Sequence, residues 1–148
     1  MLYRFEIVPY ERVGSVYFGY TREQVFEKLG QPTESFFRGR DTQPTDIYRE
    51  IGLMVSYSED NGIVDFIECV EPAEPIFQGI NLFDPNYKKT IKKLQNSGYI
   101  MQQDKVGCES YDLGVGFYMP IDKLEAVCFF RKGYYDEYNA KNGLQKQK

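Results

Sequence analysis

The chain has 148 residues, 42% apolar and 27% charged, with 18 Lys and Arg against 22 Asp and Glu. A chain of this length buries a core without metal or disulfide staples. No stretch reaches the ~18 apolar residues of a membrane span, and the opening MLYRFEIVPYER carries charges where a signal peptide needs its apolar run, so a cytoplasmic domain is expected. Histidine is absent altogether, which excludes a Ser-His-Asp or Cys-His site within one chain and removes the commonest metal ligand.

In chain order, the first strong signal is a helix with both ends marked. Thr21 and Gln24 form a capping box, Tyr20 can staple onto Val25, and Gly30 followed by Pro32 stops the run, which predicts a helix from about Arg22 to Leu29. A loop, SFFRGRDTQPT, follows. Residues 47–57 and 63–70 are rich in branched and aromatic side chains and flank SEDNG, where Asn61-Gly62 predicts a hairpin turn. Glu59, Asp60 and Asn61 lack the alternating oxygen ligands of a calcium loop.

After EPAEP, read as a linker, GINL at 79–82 parallels GSVY at 14–17. Asp84 and Pro85 are placed as N-cap and first residue of a second helix, with Tyr87, Ile91 and Leu94 on one face and Gly98 as its end. Strands are then expected in YIMQQDK, ESYDLGVGFYM and LEAVCFFR, and YDLG at 111–114 echoes YREIG at 48–52. The repeated order of glycine-strand, capped helix, glycine stop and aromatic hairpin predicts an α+β fold of two tandem helix-plus-antiparallel-meander repeats. The repeats are placed at about 10–71 and 76–138, forming one domain over 1–138 with both helices on one side of the sheet. Residues 139–148 are read as a flexible polar tail.

The motif formed by Gly19, Thr21, Gln24, Val25, Leu29, Gly30 and Pro32, ahead of a meander, resembles the helix-then-sheet unit of the outer-membrane assembly lipoprotein family. Two such units in tandem are similar to the β-lactamase inhibitory proteins. The resemblance implies that a sheet or its loops is presented to another protein. It does not carry over the lipoproteins' location, since no lipid-acceptor cysteine stands near the N-terminus, nor the inhibitory proteins' disulfide bonding. Bacterial immunity proteins, which are small, acidic, enzyme-free α+β domains of the cytoplasm, fit the same composition.

The three cysteines, Cys69, Cys108 and Cys128, stand singly in apolar settings and read as core residues in a reducing compartment, with no metal and no cofactor implied. The last ten residues hold three lysines and no acid, so the body is more acidic than the whole, which argues against nucleic acid as a partner. Two segments read as a partner-binding surface. Tyr134, Tyr135, Asp136, Glu137 and Tyr138 combine aromatic anchors with carboxylates, and Phe36, Phe37 and Arg38 set two large apolar side chains beside a basic turn. The leading expectation is a non-enzymatic inhibitor or immunity-type module, monomer or homodimer, that masks a basic surface on another protein. The competing expectation is a small-ligand or enzymatic domain with a pocket between the two repeats. Gly114-Val115-Gly116 reads as a packing or bulge feature rather than a phosphate loop, and Glu68, Glu71 and Glu74 lack the fixed spacing a glycosidase pair needs.

Overall fold

A computed structural model describes residues 3–135 and is a mixed α+β arrangement of two helices and two sheets, most of it strand. In chain order the elements are β1 Arg4–Val8, β2 Arg12–Val13, β3 Val16–Tyr17, α1 Arg22–Leu29, β4 Glu34–Phe36, β5 Thr45–Tyr48, β6 Leu53–Tyr57 and β7 Val64–Cys69. The second half runs β8 Glu74–Phe77, β9 Ile80–Asn81, α2 Tyr87–Asn96, β10 Gln102–Gln103, β11 Gly107–Ser110, β12 Val115–Tyr118 and β13 Ala126–Phe130. The smaller sheet has the order β3-β2-β1-β8-β9, and the larger, fully antiparallel one the order β10-β11-β12-β13-β7-β6-β5-β4.

Local chemistry explains α1. Thr21 accepts the Gln24 amide at 3.2 Å while the Gln24 side chain accepts the Thr21 amide at 2.8 Å, and Gly30 closes the C-terminus. Eight residues are too few to hold a helix alone. Tertiary bonds hold it: Arg22 grips Asp46 on β5 with two hydrogen bonds of 2.9 and 2.8 Å, and Tyr48 donates to the Gly30 carbonyl at 2.9 Å.

Several expectations are corrected. The run 47–57 is not one strand, because Gly52, at a φ of +74°, turns the chain after Tyr48, and a Cβ there would sit 2.2 Å from the Val70 carbonyl oxygen. The run 109–119 is likewise split by a turn at Tyr111–Gly114, where a Cβ on Gly114 would strike the Tyr10 ring at 2.8 Å. The segment EPAEP is not a linker: Ala73 and Pro75 are buried, and β8 starts at Glu74 and pairs in parallel with β1, a strand the sequence did not announce. Asp84 does not cap α2. It accepts the Asn86 amide at 2.8 Å, and Asn86 takes the N-cap position without a side-chain cap bond. Of YIMQQDK only Gln102–Gln103 pair as strand.

Alternation along the large sheet separates its two faces. Leu53, Val55, Ile67, Val115, Phe117, Val127 and Phe129 share one face by register, and all are buried in a single apolar cluster with Val25 of α1 and Tyr87, Ile91 and Leu94 of α2. Asp46 lies on this same face, fully buried. Burial opposes its ionisation, but hydrogen bonds from Arg22, Ser35 and Tyr57 outweigh that and hold its carboxyl below the usual range. No helix of the described residues is long and apolar enough to cross a membrane.

Candidate functional site

The opposite, outer face of the large sheet carries the unusual chemistry. One continuous cross-strand row runs from Glu34 through Ile47 and Met54 to Glu68 on β7. It continues across the central seam to Cys128, Gly116, Glu109 and Gln102. A second row beside it holds Phe36, Thr45, Ser56, Phe66 and Phe130. Three carboxylates and three phenylalanines therefore stand on one surface, spaced by the fixed strand separation of the sheet.

The described residues of both sequence-predicted segments come to this face. On one flank Phe36 belongs to the second row, and the Arg38 guanidinium lies 5.3 Å over its ring and 3.7 Å from the Glu68 carboxylate. Phe37 is 59% exposed. Glu59 fixes the end of that loop, accepting the Thr42 and Gln43 amides at 2.6 and 3.0 Å. On the other flank Tyr134 lies against Phe66, with ring centroids 5.1 Å apart, and Tyr135 stands edge-on to Phe130 at 4.9 Å. Tyr10 and Tyr111 complete the cage around Phe130. Tyr134 and Tyr135 are thus half-buried packing partners of the sheet rather than freestanding anchors. Asp136, Glu137 and Tyr138, like the tail 139–148, lie outside the described residues.

Sequence reasoning missed Glu109, Tyr118 and Cys128 as members of the same surface, and weighed Glu68 only as an acid pair. The available signal was the period of two in FIEC and AVCFF, which puts Glu68 and Cys128 on the face opposite Ile67 and Phe129. Glu109, Tyr118 and Cys128, but not Glu68, border a cleft of about 250 Å³ together with Asp104, Val106, Gly116 and Tyr135. A Cβ on Gly116 would meet the Glu109 side chain at 3.5 Å, an ordinary van der Waals contact.

The electrostatics are those of partly dehydrated acids. Burial raises the pKa of Glu68, with Arg38 opposing. Burial raises Glu109 as well; the hydrogen bond with Tyr135 opposes this and the charge of Asp104 adds to it. Burial, then the charge of Glu68, pushes the Cys128 thiol well up. Cys69 is raised for the same two reasons, and burial pushes Cys108 up to about 11. All three cysteines are free thiols held protonated near neutrality, the opposite of an activated nucleophile. Among the described residues no group of three or more Cys, Asp or Glu could hold a metal ion. Glu74, paired through β8 with β1, belongs to the smaller sheet, on a different layer of pairing from Glu68. What the outer face can do is present carboxylates and rings to a cationic, partly apolar surface. No family model, curated protein or solved structure matches this chain.

Proposed function

We propose that the chain is a non-enzymatic protein-binding module, an inhibitor or immunity-type protein that covers a basic surface of its partner with the outer face of the large sheet. The observation that carries this reading is the convergence of Phe36 and Arg38 from one flank and Tyr134 and Tyr135 from the other on Glu68 and its neighbours. A half-dehydrated carboxylate gains more from an incoming cation than a solvated one does. Exposed Phe37 and Tyr118 supply apolar area at the edge of the acidic row.

The architectural part of the proposal is that 10–71 and 76–138 are two copies of one unit within a single domain, arranged as in the β-lactamase inhibitory proteins with both helices on one side. It is supported by the order in each half: a short pairing turned at Gly14 or Gly79, a helix, then four strands in succession. The echo of YREIG in YDLG falls at equivalent places, the turns between second and third strands of each set. Buried free thiols fit a reducing cytoplasm.

The test is affinity capture from the source cell's lysate with the intact chain and with a Phe37→Glu, Tyr118→Glu double variant as baits, at low and high salt. One stoichiometric basic partner should be retained at low salt, lost at high salt and lost with the variant. Equal recovery on both baits, or no partner at any salt, would sink the proposal.

A further inference from the structure

A second surface has the opposite character. The α2 sequence, YKKTIKKLQN, carries four lysines and no acid. Tyr87, Thr90, Ile91 and Leu94 are buried, so the helix is fastened by one stripe and turns its ammonium groups outward. Between α2 and the turn joining β10 to β11 lies a cleft of about 620 Å³, within the ~300–1,000 Å³ common for small-ligand sites. Ile91, Tyr87, Met119 and Pro120 give it an apolar lining, and Lys88, Lys92 and Lys105 stand around it. It is built wholly from the second half of the chain.

The two acids at the cleft are already engaged. Asp104 accepts the Val106 and Gly107 amides at 2.9 and 2.8 Å, and Asp122 accepts the Tyr87 hydroxyl with Lys88 at 3.8 Å. Lys92 and Lys105 have no carboxylate partner among the described residues, and the side-chain amides of Gln95 and Gln103 bond no other described residue. Cations and amide donors without partners beside an apolar lining select an anion that has an apolar body.

We propose that this cleft binds a small organic anion, its acidic group, phosphate or carboxylate, between Lys92 and Lys105 and its ring or aliphatic body against Ile91, Met119 and Pro120. The proposal does not rest on what docks at the outer face, although the two clefts share Asp104 and Gly107 at the β10–β11 turn.

The experiment is an NMR titration of the full chain with 1-naphthyl phosphate and with 1-naphthoate, each against inorganic phosphate and 1-naphthol as half-ligands. At least one naphthyl anion should shift the amides of Lys92, Gln103, Lys105 and Met119 saturably, and which anion binds more tightly names the acidic group. Each half-ligand should bind about tenfold or more weakly. The double variant Lys92→Glu, Lys105→Glu should lose about tenfold or more in affinity. The double variant Lys89→Glu, Lys93→Glu, with the same total change in charge but outside the cleft, should stay within about twofold. No saturable shift with either anion, shifts centred elsewhere, or equal losses in the two variants would each overturn the proposal.

Discussion

The two helices are held by different physics. α1 is fixed at its ends and by its charge: a capping box at Thr21, a glycine stop at Gly30, and the Arg22 fork on buried Asp46, with the guanidinium also 5.0 Å over the Phe26 ring. Only Val25 of α1 is buried. α2 has no side-chain bond at its N-cap and instead buries a four-residue stripe. A short helix can thus be retained by polar ties or by apolar area, and the choice decides what its remaining side chains are free to do. The key cation of α1 is consumed internally, whereas α2 keeps Lys92 for solvent or ligand, facing a cleft that Lys105 of the β10–β11 turn also lines.

The contrast breaks most visibly through the apolar stripe. Leu94→Ala should destabilise the protein by about 3–4 kcal/mol, read as a lower urea midpoint, because Leu94 is 1% exposed and its removal leaves a cavity. Asp46→Ala should cost slightly less, about 3 kcal/mol, since it orphans Tyr57, Ser35 and Arg22 but the Arg22 side chain, 38% exposed, can return to water. The same residue sets an acid limb. A carboxyl held below its unfolded value of about 3.9 stabilises the fold above that pH and loses its contribution as pH falls through the depressed folded value. Asp46→Asn should therefore flatten the fall of stability below about pH 4; an unchanged slope would remove Asp46 from that role. The smallest effects sharpen the contrast at the helix starts: Thr21→Ala should cost about 1 kcal/mol and Asn86→Ala less than about 0.5, and equal costs would contradict the difference in capping.

What could be read from the residues follows the same division between near and far. The bounds of α1 were legible because a capping box and a glycine stop act over a few positions, and the turn after β6 because Asn61 and Gly62 act locally. The Gly52 and Gly114 turns were not, since each glycine is required by a distant group, the Val70 carbonyl or the Tyr10 ring. The β1–β8 pairing joins segments some seventy positions apart and leaves no periodic trace. At the proposed site, residue types at 36–38 and 134–135 were suggestive on their own. That Arg38 reaches Glu68 on the same face where Tyr134 and Tyr135 pack on Phe66 and Phe130 depends on β7 pairing with β13, a register no local pattern encodes.

The large sheet ends in β4, with three residues, and β10, with two, so its rims offer very little ladder to an approaching strand. Glu34 sits on one rim in an ion pair with Arg49, and β10 is glutamine in both positions. A chain carrying 13 tyrosines and 11 phenylalanines, much of it in antiparallel strands, would otherwise be a template for edge-to-edge polymerisation. Rims this short leave the faces of the large sheet as its main surfaces for association, and lengthening either rim with apolar residues should promote aggregation.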